Sequence, residues 1–287
     1  MTAVLDRGCA PIGLLDSGLG GLSVLQAVRS RLPGEDLLYI ADTAYVPYGG
    51  RSPAVIRARA RALAAVLAGR GVKALVVACN TATAVAVGEL REAWPELPVI
   101  GMEPAVKPAT ASTRSGVVGV LATEGTLASA RFAALLERHA GRVTVVTRPA
   151  TGLVGAVEAG DLDGPEVRAL LRGHLQPLLD AGADTLILGC THYPFLLPAI
   201  RDLAGPDMTI VETGPAVARE LERRLAAAGL LNPGGDGRET FIATGDPARS
   251  EAVVARLLGR PALLTALSPA EQALAPPPGV TAGPTAG

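Results

Sequence analysis

Lysine is almost absent from this 287-residue chain: of its 26 basic residues, all but Lys73 and Lys107 are arginine. A Schiff base would have to form on one of these two, and neither has a favourable setting, so pyridoxal-phosphate chemistry is not expected. Aromatic residues are only 3% of the chain, and 26 basic against 27 acidic residues leave a net charge of −1. That combination lacks the basic, stacking surface of nucleic-acid binders, so no nucleic-acid partner is expected. No apolar run approaches the roughly 18 residues of a membrane span, and no membrane partner is expected. Residues 1–7 lack the basic-then-apolar pattern of a secretory signal, which points to the cytoplasm. Cysteines number three, Cys9, Cys79 and Cys190. They are too widely spaced for a zinc knuckle or a redox pair, so free thiols and no metal site are expected.

What is present is a chain with 49% apolar and 18% charged residues, enough for one large domain or two small ones. Short β-rich runs at 12–15, 37–41, 74–78, 99–102, 117–121, 143–146, 185–188 and 209–211 alternate with helical patterns at 21–32, 52–70, 81–94, 126–140, 165–181 and 215–228. Such alternation predicts an α/β fold with mostly parallel sheet and ligands at the carboxyl ends of the strands. The tail from Pro261 to residue 287 is rich in Pro, Ala and Gly and is expected to be disordered.

The chain also echoes itself. Gly71-Val-Lys-Ala-Leu-Val-Val-Ala-Cys79-Asn-Thr resembles Gly182-Ala-Asp-Thr-Leu-Ile-Leu-Gly-Cys190-Thr-His, and the cysteines lie 111 residues apart. Pro104-Ala105-Val106 and Pro215-Ala216-Val217 keep the same offset, and Ile12–Leu15 matches Val118–Leu121 in the same order. Two similar α/β domains related by a pseudo-two-fold are therefore expected, with a cleft between them. The first comprises residues 11–107 and 218–258, the second 108–217.

Each half then offers one cysteine directly after a buried strand. A lone strand-end cysteine is usually packing. Two at equivalent positions suggest thiols that approach one ligand from two sides, with the following helix N-terminus lowering the thiol pKa. One thiolate and one thiol on opposite faces of a tetrahedral carbon would invert it. Asp16-Ser17-Gly18-Leu19-Gly20-Gly21 ends the first strand; it reads as a close-approach turn, a helix cap or a weak phosphate loop, with Ser23 where a dinucleotide fingerprint needs glycine. His192 stands two residues from Cys190 and reads either as a proton partner or as a structural strand-end histidine. Three of the four tyrosines gather between Tyr39 and Gly50, where they cover a ligand or simply the core.

Taken together, Asp16-Ser17-Gly18-x-Gly20-Gly21, Asp42-Thr43-x-x-x-Pro47-Tyr48-Gly49, Ala78-Cys79-Asn80-Thr81-Ala82, Glu103-Pro104-x-x-Lys107-Pro108 and Gly189-Cys190-Thr191-His192-Tyr193-Pro194 resemble the motifs of glutamate racemases, in the aspartate/glutamate racemase superfamily, over residues 11–258. The resemblance implies cofactor-independent interconversion of L- and D-glutamate, the latter for peptidoglycan, by a cytoplasmic homodimer. It implies that Cys79 handles the proton of D-glutamate and Cys190 that of L-glutamate, with Asp16, His192 and Glu158 assisting. Substrate contacts are implied for Asp16, Ser17, Tyr48, Gly49, Asn80, Thr81, Thr123, Thr126, Thr191 and His192. The chain departs from the family pattern at Arg148-Pro149, where many members have Cys-Pro, and at Ala122, where glycine usually precedes the threonine motif.

Overall fold

The computed structural model describes residues 7–232 and 234–275. Among them ten strands form two sheets, parallel throughout. The first sheet contains β1 (Ile12–Asp16), β2 (Leu37–Ala41), β3 (Ala74–Val77), β4 (Val99–Ile100), β9 (Glu239–Ala243) and β10 (Leu264–Ala266), in the order β10-β9-β2-β1-β3-β4. The second contains β5 (Val117–Ala122), β6 (Thr144–Pro149), β7 (Thr185–Leu188) and β8 (Thr209–Val211), in the order β6-β5-β7-β8. The runs β2-β1-β3-β4 and β6-β5-β7-β8 match strand for strand, so the internal echo is a duplicated topology. Every residue of β1, β2, β3 and β7 is buried, as expected where helices cover both faces of a parallel sheet.

The helices α1 (Leu22–Arg31), α2 (Pro53–Gly69), α3 (Asn80–Ala93) and α4 (Val106–Ser112) follow β1 to β4 in turn. After β5 come α5 (Glu124–Leu127) and α6 (Ala130–His139), after β6 α7 (Leu153–Glu158) and α8 (Pro165–Asp180), and after β7 α9 (Leu197–Ala204). Then α10 (Gly214–Ala227), α11 (Pro247–Leu258) and α12 (Pro269–Leu274) follow β8, β9 and β10. Ser52 caps α2 by accepting from Val55 N, with Pro53 as its first residue, as the sequence signals.

The two Pro-Ala-Val segments lead into a reciprocal exchange. Helix α4 leaves the first sheet and packs on β7, β8 and α6 of the second, while α10 leaves the second and packs on α1 of the first. Each lobe thereby holds a helix that follows the other lobe's last matched strand, which ties the lobes together.

Three expectations are corrected. The tail is ordered at its start: β10 pairs in parallel with β9, and α12 packs on α2 with a Ser268–Glu271 capping box and an Arg70–Glu271 ion pair at 2.6 Å. Residues 276–287 lie outside the described residues. The helix expected over 126–140 is two helices, because the Ser129 hydroxyl donates to Thr126 O and accepts from Phe132 N, interrupting one helix and capping the next. The strand expected over 99–102 stops at Ile100, since Met102 N donates to the Thr83 hydroxyl at 3.1 Å rather than to a neighbouring strand. Lys73 proves structural: it is buried at the amino end of β3, ion-paired with buried Glu35 and donating to Gly8 O.

Candidate active site

Both matched strands β3 and β7 deliver a cysteine at the carboxyl edge of a sheet, and the two edges face one small pocket. A small cavity is lined by Ser17, Pro47, Tyr48, Gly49, Cys79, Asn80 and Thr81 from the first lobe and by Thr123, Val154, Cys190, Thr191 and His192 from the second. Ten of the candidate residues thus meet at one place although they span 176 residues of chain. Asp16, Glu158 and Thr126 stand behind this lining. Of the thiols, Cys79 and Cys190 are buried, while Cys9 is exposed.

Behind each thiol runs a chain of polar groups ending in a carboxylate. On the first side, Cys79 Sγ lies 3.6 Å from the Ser17 hydroxyl, which donates to Asp16 Oδ1 at 3.4 Å. Asp16 Oδ2 accepts from Gly21 N at 2.8 Å, Gly18 N at 3.3 Å and the Tyr39 hydroxyl at 3.2 Å. The glycine turn therefore wraps the Asp16 carboxylate instead of a phosphate. On the second side, Cys190 Sγ lies 3.5 Å from His192 Nδ1, and His192 Nε2 lies 2.6 Å from Glu158 Oε1.

The turn glycines also let the lobes approach. A Cβ on Gly18 would come within 2.2 Å of Glu158 Oε1, and one on Gly20 within 2.3 Å of His192 Nδ1. In the space they leave, Leu19 N donates to Glu158 Oε1 at 2.7 Å, and the Ser23 hydroxyl reaches Thr191 O at 2.8 Å. Across the cleft, the hydroxyl of Thr81 meets those of Thr123 at 2.9 Å and Thr126 at 3.3 Å. Gly49 and Gly125 lie beside this cluster, where a Cβ on either would press on Thr123 or Thr81.

Burial sets the protonation of these groups. It pushes the Cys79 thiol up to about 12, helped by the nearby Asp16 carboxylate. The expected lowering by the helix N-terminus is real, since Ala82 N donates to Cys79 Sγ at 3.4 Å, but desolvation outweighs it. Burial likewise raises Asp16, against the opposing charge of His192. For His192 burial alone would disfavour the cation, yet its hydrogen bonds to Cys190 and Glu158 prevail and hold the imidazole well above its ordinary value. Asn80, at the start of α3, has its side-chain oxygen and nitrogen both buried without a hydrogen-bond partner, beside the thiols.

Three supporting residues went unnoticed in the sequence as site residues. Asp42, wholly buried after β2, accepts from the Tyr48 hydroxyl at 2.6 Å, from Thr244 Oγ1 at 2.7 Å and from Arg59 through two nitrogens at 2.7 and 2.9 Å. Arg59 also stacks its guanidinium 4.0 Å over the Tyr45 ring. Its signal in the sequence is an arginine on the apolar stripe Ile56, Ala60, Leu63 of α2. Tyr39 is the third.

A duplicated parallel α/β scaffold that closes one small cleft over two buried thiols, one from each lobe and each backed by a carboxylate, defines a class of enzyme suited to moving protons at one centre. The model of the Asp/Glu/Hydantoin racemase family matches residues 13–221. A glutamate racemase of Stutzerimonas stutzeri is 56% identical over 255 residues, covering 89% of this chain and 96% of the relative. Among solved structures, a glutamate racemase of Bacillus anthracis superposes with a TM-score of 0.83 at 34% identity, covering 91% of this chain and 98% of that one. One of Francisella tularensis in complex with D-glutamate gives 0.79 at 30% identity, with the same coverage. The chain belongs to the Asp/Glu/Hydantoin racemase family and is an amino-acid racemase.

Proposed function

We propose that the protein interconverts L- and D-glutamate by proton transfer between Cα and two cysteines, without a cofactor. The observation that carries this reading is the pair of polar chains, Cys79–Ser17–Asp16 and Cys190–His192–Glu158, converging from the two lobes on one cavity. The choice of glutamate is supported by the relatives, one of which was solved with D-glutamate.

The two thiols are prepared differently. A buried, proton-holding Cys79 is placed as the acid, and Cys190, 3.5 Å from His192 Nδ1, is placed as the base. In this state Cys190 takes the Cα proton of L-glutamate, the C–H electron pair passes to Cα and its carboxylate, and Cys79 delivers its own proton to the opposite face. The product is D-glutamate, and the enzyme is left with Cys79 as thiolate and Cys190 as thiol, ready for the reverse reaction. No electrons are gained or lost. The unpaired Asn80 amide and the hydroxyls of Thr81, Thr123 and Thr191 supply donors for the developing charge. Asp16 acts on Cys79 through Ser17, and Glu158 on Cys190 through His192. Thr126 supports Thr81 and Thr123 from behind. The division into residues 11–107 with 218–258 and 108–217, a cytoplasmic homodimer and a supply of D-glutamate to peptidoglycan belong to the same reading.

The test is solvent deuterium incorporation at Cα of each glutamate enantiomer in cofactor-free buffer, with Cys79→Ala and Cys190→Ala alongside the parent. Each substitution is expected to reduce racemisation by about 10³-fold or more while the far-ultraviolet circular dichroism stays that of the parent. Substantial turnover in either variant would sink the two-thiol mechanism.

A further inference from the structure

The peptide group between Gly18 and Leu19 is hydrogen-bonded at both ends to groups from different lobes. Its carbonyl accepts from the Tyr39 hydroxyl at 2.7 Å, and its N–H donates to Glu158 Oε1 at 2.7 Å. The same Glu158 oxygen faces His192 Nε2, and His192 Nδ1 faces Cys190. The Tyr39 hydroxyl also lies 3.2 Å from Asp16 Oδ2, the carboxylate that stands behind Ser17 and Cys79. One phenol therefore touches the support of both thiols.

Packing alone does not account for a tyrosine here. The ring lies on β2 within the core, its centroid 6.4 Å from that of Phe241, and the residue is only 1% exposed. Phenylalanine would fill that space without the cost of burying a hydroxyl. The hydroxyl is used, and both of its partners belong to the glycine turn.

We propose that Tyr39 is a positioning residue of the racemase. Its hydroxyl sets the tilt of the Gly18–Leu19 peptide, which fixes Glu158 Oε1 at the distance that orients His192 toward Cys190, while its second contact steadies the Asp16 carboxylate. Without the hydroxyl, the buried Gly18 carbonyl loses its donor, the peptide is free to rotate, and the Leu19 N–H no longer presents squarely to Glu158. This inference rests on the racemase reading of the site.

Tyr39→Phe keeps the ring and removes only the hydroxyl, so the folded enzyme remains available for measurement. Turnover is expected to fall about tenfold with either enantiomer as substrate, with KM within about twofold of the parent. In a double-mutant cycle with Glu158→Gln the second loss is expected to be much smaller than the first, because both changes act through the same carboxylate oxygen. The proton resonance of His192 Nε2 in the substrate-free enzyme is expected to move on Tyr39→Phe. An additive cycle, or an unmoved His192 resonance, overturns the proposal. Turnover of glutamate by the parent judges the assignment of substrate separately, since the resonance shift needs no substrate.

Discussion

Glu158 Oε1 lies 2.6 Å from His192 Nε2, and the same oxygen holds the amide of Leu19 from the other lobe at 2.7 Å. A single carboxylate atom thus orients the imidazole beside Cys190 and fastens the lobes at that point. Glu158→Gln keeps the shape of the side chain and removes its charge. A loss of turnover of about 10²-fold with little change in melting temperature is expected, measured by polarimetry and thermal denaturation.

Gly20 stands against His192 so closely that an added methyl would displace the ring. Gly20→Ala is expected to lower kcat/KM by at least about tenfold, since small misplacements of a proton-transfer group are costly. Gly173→Ala provides the contrast: a Cβ added there meets nothing within 4 Å, on an exposed stretch of α8. It should leave racemisation unaltered and stabilise the helix by about 0.5–1 kcal/mol in urea denaturation.

The Asp42–Arg59 pair is nearly inaccessible to solvent, with side chains 0% and 5% exposed. Arg59→Met strands the Asp42 carboxylate in the core, and a loss of about 3–5 kcal/mol in denaturant unfolding is expected. Because Asp42 also orients the Tyr48 hydroxyl at the cavity, KM should rise in the fraction that remains folded.

Asp184 lies just before β7 and gathers the turn before β5. It accepts from Thr113 Oγ1 at 2.6 Å and from the amides of Arg114 and Ser115 at 2.7 and 2.8 Å. Desolvation opposes ionisation, but these bonds prevail and hold the carboxyl below its ordinary range. A depressed folded value means that stability is present above the unfolded pKa of about 3.9 and is lost as the pH falls through the folded one. Asp184→Asn is therefore expected to cost about 1 kcal/mol near neutrality, with the gap to the parent closing as acid unfolding is approached.

The parallel α/β architecture was legible because buried strands such as Leu75-Val76-Val77 carry a continuous apolar signature, whereas strand ends and the tail were not. Thr83 and Ser129 redirect backbone bonds through their hydroxyls, an effect that apolar periodicity does not register. The tail composition, rich in Pro and Ala, hid a strand and a helix that depend on β9 and α2 for support. Within the site, the cysteines stood out through their repeat. Tyr39 and Asp42 showed only as members of an aromatic cluster and of a motif, because a buried phenol or carboxylate reveals its purpose only through partners distant in the chain.

From the amino-acid order alone came the duplicated halves, the cysteine after each matched strand and the family resemblance, all of which depend on local pattern and spacing. The tertiary structure decided the rest: which groups stand behind each thiol, that helices α4 and α10 are exchanged between lobes, and that Cys79 holds its proton. The last shows the reason most directly. A helix N-terminus is a local feature readable in sequence, but the desolvation that outweighs it is produced by both lobes closing over the same sulfur.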